Sequence, residues 1–280
     1  MIKARRSATR ERCARGVARG GVCAVRRWRC GGWEAAGRLA AAAEARQISM
    51  TSRGKLIAVE GIDGSGKRTQ VQLLERSLLA KGYGVYSTGF PQYDSWFGSM
   101  VGKFLNGEMG SLENVDPHFT ALLYAGDRFE AKNKIEDALN AGKIVLADRY
   151  VGSNLAHQVA RAPAEKRLEF RQWIEHLEYG IYGLQRESLV LYLRVPPREA
   201  QALVTRKRAR EYTEAKHDLL EASLRHLEDA AGMYDQLATQ EHWVTVQCFD
   251  ERGGVMRLPQ EIAAEVSGEV EKVLARKDGM

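Results

Sequence analysis

The sequence has few cysteines and no long apolar run. Its 280 residues include four cysteines, and the three that lie in the first 49 residues have spacings that match no zinc or redox motif. We therefore expect free thiols in a reducing compartment, the cytoplasm. No apolar run has the length that a membrane-spanning helix needs, and no apolar segment follows the basic start as it would in a secretory signal. The sequence predicts no membrane partner.

Acidic residues are scarce at the start of the chain and plentiful after it. The net charge is +6, of which residues 1–49 carry +9, so residues 50–280 carry −3. A basic surface is the electrostatic requirement for binding nucleic acid, and the larger part of the chain lacks it. We therefore expect no nucleic-acid partner. A binder driven by the basic tail stays open as an alternative, and deletion of residues 1–49 would abolish its binding.

Residues 1–49 form an Arg-, Ala- and Gly-rich tail without helix or strand periodicity. Three interpretations fit this composition. A transit peptide is Arg-rich and poor in acidic residues, although this tail has little Ser and contains Glu. A disordered basic arm has the same charge. We favour the third, in which Met50 is the true start and residues 1–49 are translated from GC-rich upstream sequence.

Short apolar runs alternate with helical patterns from Met50 onward. Helices are predicted over Thr69–Gly82 and from about Asp116 to Gly142, with Pro117 in the first turn. The alternation predicts an α/β domain over residues 50–280, in which a parallel five-stranded sheet carries helices on both faces and the ligand crevice lies at the carboxyl ends of the strands. The predicted strands are Lys55–Glu60, 84–88, Lys143–Asp148, Leu189–Val195 and Trp243–Phe249.

The segment GIDGSGKRT nearly matches the phosphate-loop pattern G-x-x-x-x-G-K-[ST]. It joins a predicted strand to a predicted helix, so its backbone N–H groups would converge on phosphate oxygens, and Lys67 would reach the β- and γ-phosphates. This context predicts the P-loop NTPase fold. The residues predicted to bind the nucleotide are Gly61, Ile62, Asp63, Gly64, Ser65, Gly66, Lys67, Arg68 and Thr69.

Arg68 stands where the pattern has the hydroxyl that binds Mg²⁺, and Thr69 follows one residue late. Thr69 could still provide a hydroxyl after a local adjustment. Carboxylates, phosphates and water are the alternative ligands, because Mg²⁺ keeps several waters in most protein sites. The mismatch therefore weakens the metal assignment more than it weakens phosphate binding.

Two charged segments follow the loop along the chain. ADRYVGSN places Asp148 and Arg149 at the end of the third strand, where a carboxylate can order a metal-bound water. A strand-end ion pair would explain this segment taken alone, but together with the phosphate loop the catalytic interpretation is favoured. RKRAR contains Arg206, Arg208 and Arg210. Cations that close over transferring phosphates stabilise their charge, so we predict a basic lid over about 206–217, with a solvated helix face as the alternative.

These motifs, spread from about Lys55 to Ala275, resemble the thymidylate kinase family of nucleoside-monophosphate kinases. FPQY, LYAGDR, DRYVGSN and the pair RKRAR and DLLE are similar to family segments and occur in the same order. The family includes members with Arg after the loop lysine, which accounts for Arg68. The resemblance implies ATP-dependent phosphorylation of dTMP to dTDP, a step toward dTTP, with ATP and Mg²⁺ as cofactors.

The resemblance also implies a role for each matching residue. Tyr124 would stack on thymine, Arg128 and Asn154 would hydrogen-bond it, and His157 stands where many members have Tyr near the sugar 2′ position. The implied substrate residues are Phe90, Pro91, Tyr93, Tyr124, Arg128, Arg149, Ser153, Asn154 and His157. The implied catalytic residues are Lys67, Arg149, Asp63, Arg206, Arg208 and Arg210, and the implied metal ligands are Asp63, Asp148 and Glu221.

The resemblance further implies a homodimer formed through long helices. The faces from Phe129 to Leu139 and from Phe170 to Leu177 are candidates, and core packing explains them equally well. Two other activities stay open, namely a kinase for another nucleotide or a deoxynucleoside, and a P-loop regulatory switch. A guanine-specific switch needs N-K-x-D after a strand, and the sequence does not contain it.

Overall fold

The computed structural model describes residues 53–210 and 224–276. Within these ranges, five parallel strands form a sheet in the order β2-β3-β1-β4-β5. This confirms the predicted parallel sheet. The strands are β1 (Leu56–Glu60), β2 (Val85–Gly89), β3 (Ile144–Asp148), β4 (Leu189–Arg194) and β5 (Trp243–Gln247).

The prediction that the last strand continues to Phe249 was wrong. β5 ends at Gln247, and Phe249 begins a separate two-stranded antiparallel ribbon, formed by β6 (Phe249–Asp250) and β7 (Val255–Met256). Between them, Cys248 is fully buried, and its N–H donates to the carbonyl of Arg194 at the end of β4. The apolar pattern runs through both elements, so it could not indicate where one ends.

Eight α-helices surround the sheet in the described part of the chain. They are α1 (Lys67–Ala80), α2 (Trp96–Leu105), α3 (Pro117–Asn140), α4 (Val151–Val159), α5 (Arg167–Glu175), α6 (Pro197–Arg210), α7 (Leu224–Leu237) and α8 (Pro259–Ala275). A 3₁₀ turn (Ala164–Lys166) precedes α5, and a π-helical segment (His176–Ile181) follows it. None of these helices is both long and apolar enough to span a membrane.

The sheet is the centre of the core. Every residue of β1 is buried, as are all of β3 and β4 except their last residues, because helices cover the sheet and the strands are apolar up to the charged residue that ends each of them. α1 and α8 contact each other and the sheet, α3 contacts β3, and α4 contacts α3, α5 and α7. A smaller apolar cluster, centred on Phe104, lies between α2 and α3.

Helix ends follow local chemistry. The Asp116 carboxylate accepts the N–H of His118 (2.7 Å) just before Pro117, which caps α3 where the sequence predicts it. α1 begins at Lys67, two residues before the predicted Thr69. Gly66 has a φ of 86°, so the loop turns directly into the helix and Lys67 and Arg68 belong to its first turn.

Glu187, just before β4, is a buried carboxylate. It accepts a hydrogen bond from the hydroxyl of Tyr179 (2.8 Å), and none of the ion pairs in the described ranges includes it. Burial raises the pKa of Glu187 from 4.5 to about 7, and the negative charges of Glu60 and Glu178 act in the same direction. The folded chain therefore retains a proton here that the unfolded chain loses.

Glu187→Gln should remove a pH-dependent loss of stability. Between pH 4.5 and 7 the folded state binds more protons at this site than the unfolded state, so its contribution to the free energy of unfolding falls as pH rises and levels off above pH 7. Glutamine does not titrate, so the drop between pH 5 and pH 8 should be smaller in the variant, by up to roughly 3 kcal/mol. Urea unfolding at both pH values measures it, and equal drops in the two proteins would contradict the assignment.

Candidate active site

The phosphate-loop segment Gly61–Thr69 follows the buried end of β1. Gly61, Gly64 and Gly66 all have positive φ, and a Cβ on Gly64 would lie 2.2 Å from the carbonyl oxygen of Ala200. Only glycine fits at Gly64 for both reasons. Arg68 and Thr69 are exposed in the first turn of α1.

Lys67 is buried against its own loop. Its ammonium donates to the carbonyls of Gly61 (2.9 Å) and Ile62 (2.8 Å). Burial, followed by the positive charge of Arg149, lowers the pKa of Lys67 to about 8, while nearby carboxylates oppose the shift. A negatively charged ligand at the loop would raise this pKa again and favour the ammonium form.

Arg149 is the one described non-glycine residue in the left-handed backbone region, with a φ of 67°. Its guanidinium forms an ion pair with Asp63 and donates to the carbonyl of Gly61 (3.2 Å) and the hydroxyl of Ser153 (3.0 Å). Burial raises the pKa of Asp63, but the charges of Arg149 and Lys67 outweigh it and hold the pKa below its usual range. The structure thus brings together the loop and the end of β3, as the sequence predicts.

Glu60, which the sequence analysis did not single out, is fully buried beside Arg149. One carboxylate oxygen accepts the backbone N–H groups of Tyr150 (2.7 Å) and Ser153 (3.0 Å). The other oxygen accepts the hydroxyls of Ser153 (2.6 Å) and Tyr234 (2.9 Å). The one signal in the sequence is a carboxylate that ends an apolar strand directly before the loop.

An open cavity, whose empty volume of about 580 Å³ includes solvent at its mouth, adjoins Asp63 and Arg149. All nine residues predicted to bind the substrate line it, together with Asp63 and two residues that the sequence analysis missed, Leu105 and Gln158. The nine are Phe90, Pro91, Tyr93, Tyr124, Arg128, Arg149, Ser153, Asn154 and His157.

Glu178 organises the inner end of the cavity from the π-helical segment. Both Arg128 and Glu178 are buried, and Arg128 donates to the carboxylate through Nε (2.5 Å) and Nη2 (2.7 Å). Asn154 donates its amide nitrogen to Glu178 (2.7 Å) and to the carbonyl of Ala121 (3.1 Å). Both partners can only accept here, which assigns the amide orientation.

This arrangement leaves one guanidinium nitrogen as a donor group and one amide oxygen as an acceptor for a ligand. Asn154 Oδ1 is buried and has no hydrogen-bond partner among the described residues. Arg128 uses Nε and Nη2 on Glu178, and none of the hydrogen bonds in the described ranges uses its Nη1. A buried amide oxygen without a partner is costly, and a donor on a bound ligand would satisfy it.

Asp127 shapes the other wall of the cavity. Its buried carboxylate accepts the N–H of Gln92 (3.0 Å) and the hydroxyl of Ser95 (2.9 Å), which fixes the FPQY segment on α3. Phe90 is buried on this wall, whereas Tyr93 is 56% exposed at its edge. Aromatic rings on this side can cover a planar ligand that reaches Arg128.

His157 forms part of a buried histidine pair. Its Nε2 lies 3.4 Å from the guanidinium of Arg149, and its Nδ1 lies 3.2 Å from Nε2 of His226 in α7. Arg149 can only donate, which favours the neutral tautomer of His157 with its proton on Nδ1, toward His226, and an acceptor at Nε2. Burial holds the pKa of His157 well below its usual range and lowers that of His226 to about 4, so both rings are neutral at pH 7.

Part of the predicted machinery lies outside the described residues. The backbone of α6 extends to Arg210. The side chains of Arg206, Arg208 and Arg210, the remainder of the predicted lid and Glu221 are outside the described part, as are the tail and Met50. Asp148 ends β3 beside the loop, opposite Val59 of β1.

Comparisons with known proteins agree on one family. The family model described as thymidylate kinase matches residues 59–251. Thymidylate kinase of Mycobacterium tuberculosis is 31% identical over 186 residues, which is 66% of this chain and 86% of that protein. The probable thymidylate kinase of Pyrobaculum aerophilum is 31% identical over 222 residues, 79% of this chain and 98% of that protein.

A solved structure has the same fold. Thymidylate kinase from Candida albicans aligns with a TM-score of 0.59 and 19% identity, covering 79% of this chain and 92% of that one. At this sequence identity, the structural similarity supports a shared fold and nothing more. Together with the matching family model and relatives, and with a phosphate loop beside a polar cavity, it leads to one assignment: the chain belongs to the thymidylate kinase family of phosphotransferases.

Proposed function

We propose that the chain transfers the γ-phosphoryl group of ATP to dTMP and produces dTDP. The observation that carries this proposal is the pairing of a free donor and a free acceptor at the inner end of the cavity. Thymine offers an acceptor, O4, next to a donor, N3–H, which complement Arg128 Nη1 and Asn154 Oδ1. Cytosine has an amino group, a donor, and an unprotonated N3, an acceptor, at these positions. It would therefore place a donor against Arg128 and an acceptor against the amide oxygen of Asn154.

Arg149 links the two ends of the proposed reaction. Its guanidinium lines the cavity and also donates to the carbonyl of Gly61 in the phosphate loop. From there it would bridge the acceptor monophosphate and the transferred phosphoryl group. The acceptor phosphate is already an anion, so no general base is needed, and catalysis consists of alignment and charge neutralisation.

Asp63 and Asp148 are the described residues that would hold Mg²⁺. Mg²⁺ is commonly bound by one or two carboxylates together with phosphate oxygens and water, and these two carboxylates lie close enough to Lys67 for both to influence its pKa. The ion, when bound, would neutralise charge on the phosphates. We also propose Glu221 as a ligand, from the family resemblance.

The basic segment at the end of α6 is proposed to supply further positive charge to the transferring group. The loop has Gly64 and Ser65 where one family subtype has an additional arginine. Arg206 and Arg210 lie four apart in α6 and share a helix face. Steady-state kinetics of their alanine variants should show a lower kcat with little change in the KM for ATP, because a cation that acts in the transition state contributes little to ground-state binding.

We further propose a cytoplasmic homodimer. The faces named from the sequence serve mainly the chain's own core, since Ile135, Leu139, Phe170, Ile174 and Leu177 are buried. Phe129, the first residue of one named face, is exposed instead, and together with Phe119 and Leu122 it forms an exposed stripe of α3 at helical spacing. A second copy packing on this stripe would cover it, and the mass from sedimentation velocity separates one chain from two.

Lys67→Ala should abolish phosphoryl transfer and leave dTMP binding intact. The ammonium lies on the loop and does not line the cavity, so its loss should remove a contact to the phosphates of ATP and leave the dTMP site unchanged. Calorimetry with dTMP and a coupled assay for ADP measure the two effects. Lys81→Ala, at the exposed end of α1, is the control and should retain activity. Loss of dTMP affinity in step with activity would contradict this division of roles.

Arg128→Lys should impair base recognition while the fold survives. Lysine keeps a positive charge beside Glu178 but lacks the planar fork that holds Nη1 toward the cavity. We expect a fall in kcat/KM for dTMP of about fivefold to 150-fold, from loss of roughly 1–3 kcal/mol. The KM for ATP should change little, and the ratio of kcat/KM for dTMP to kcat/KM for dCMP should fall.

Arg171→Lys is the matched control, because Arg171 also donates through Nε to a carboxylate but lies outside the cavity. It should retain the activity of the unmodified protein. An Arg128→Lys protein with the original ratio of kcat/KM for dTMP over dCMP would reject the role of Arg128 in choosing the base.

A further inference from the structure

Glu60 is a buried carboxylate that the proposed reaction does not use directly. It is fully buried at the end of β1 and does not line the cavity. None of the ion pairs within residues 53–210 and 224–276 includes it. Instead, its two oxygens accept four hydrogen bonds from Tyr150, Ser153 and Tyr234. Such full satisfaction by neutral donors is what allows a carboxylate to remain buried.

Two of the four donors belong to Ser153, whose hydroxyl also accepts a hydrogen bond from Arg149. Ser153 has one hydroxyl proton, and the carboxylate of Glu60 at 2.6 Å is a stronger acceptor than the Tyr234 hydroxyl at 3.0 Å. The proton therefore points to Glu60, and a lone pair of the same oxygen faces Arg149 Nη1 at 3.0 Å. Glu60 thereby sets the direction of the hydrogen bond that Arg149 makes.

Glu60 also holds the backbone that carries Arg149. It accepts the N–H of Tyr150, the next residue, and that of Ser153 in the first turn of α4. A carboxylate thus caps this helix from a neighbouring strand. A non-glycine residue with a φ of 67° stays in that conformation only where its surroundings hold it. A Cβ at Gly152 would lie 2.9 Å from Cη2 of Trp243 and 3.0 Å from a carboxylate oxygen of Glu60, so any larger residue there would force these side chains to shift.

We propose that Glu60 is a positioning residue that holds Arg149 in place for phosphoryl transfer. The inference rests on the proposed function, since it assigns Arg149 to the phosphates. Tyr234 of α7 supports the same carboxylate, so α7 contributes to the site without lining the cavity. Removing the charge of Glu60 should therefore affect turnover more than binding.

Glu60→Gln is the primary test. The amide keeps the size of the side chain but replaces one acceptor oxygen with a donor, so at least two of the four hydrogen bonds are disturbed in either orientation. We expect kcat for dTMP to fall about tenfold to hundredfold, because small displacements of a positioning group have effects of that size. The calorimetric affinities for ATP and dTMP should change little.

Glu187→Gln is the matched control. It makes the same exchange at another buried carboxylate that accepts a tyrosine hydroxyl, and Glu187 has no hydrogen bond to Ser153 or to the residues flanking Arg149. It should retain kcat per folded molecule. If Glu60→Gln lowers only the melting temperature and also retains kcat per folded molecule, Glu60 is merely structural and the proposal fails.

Tyr234→Phe keeps the test decisive if Glu60→Gln does not fold. It removes one donor to Glu60 and leaves the carboxylate in place, so kcat should fall by a smaller factor than in Glu60→Gln. Tyr179→Phe, which removes the hydroxyl that donates to Glu187, is its control and should not lower kcat. An unchanged kcat in Tyr234→Phe would overturn the proposal in that case.

A double-variant cycle tests whether the effect passes through Arg149. In an Arg149→Lys background, Glu60→Gln or Tyr234→Phe should add little to the loss of kcat, because coupled residues are not additive. If the losses of kcat add fully in the double variant, Glu60 and Tyr234 act on a group other than Arg149, which would contradict the proposal. If the unmodified protein does not phosphorylate dTMP, the proposed function fails. If it does and both changes leave kcat intact, only the role of Glu60 fails.

Discussion

Two buried carboxylates hold the two arginines that line the cavity. Glu178 binds Arg128 through two hydrogen bonds and orients Asn154. Glu60 accepts hydrogen bonds from the backbone N–H of Tyr150, the residue after Arg149, and from the hydroxyl of Ser153, to which Arg149 donates. A buried guanidinium without a partner is strongly destabilising, so loss of Glu178 beside Arg128, or of Asp63 beside Arg149, should lower the stability of the fold. The same requirement fixes where the arginines can donate, and stability and recognition therefore depend on the same contacts.

The order of the strands places these contacts together. β1 lies between β3 and β4, and Asp148 stands opposite Val59, one residue before Glu60. Parallel strands present their carboxyl ends at one edge, so the phosphate loop and Arg149 meet there. α3, α4 and the π-helical segment contribute Arg128, Asn154 and Glu178, which contact one another at the inner end of the cavity.

Features encoded locally could be predicted from the sequence. The apolar runs indicated the strands, Asp116 and Pro117 indicated the start of α3, and the glycines indicated the loop. The roles of Glu60 and Glu178 could not be predicted, because their partners are distant in sequence: Tyr150 is 90 residues from Glu60, and Arg128 is 50 residues from Glu178. Glu60 at least interrupts an apolar run, whereas Glu178 lies among mixed residues that give no signal. The histidine pair also depends on a long-range contact between α4 and α7.

The central claim is that one cavity reads thymine at one end and presents its phosphate to the loop at the other. The most direct measurement is the initial rate of ADP formation by the unmodified protein with ATP, Mg²⁺ and, in parallel, dTMP, dUMP, dCMP or thymidine. The account predicts the highest kcat/KM for dTMP, a much lower value for dCMP, whose donor and acceptor are reversed, and no turnover of thymidine, which has no phosphate for Arg149. Turnover of dCMP or thymidine as efficient as that of dTMP would contradict it.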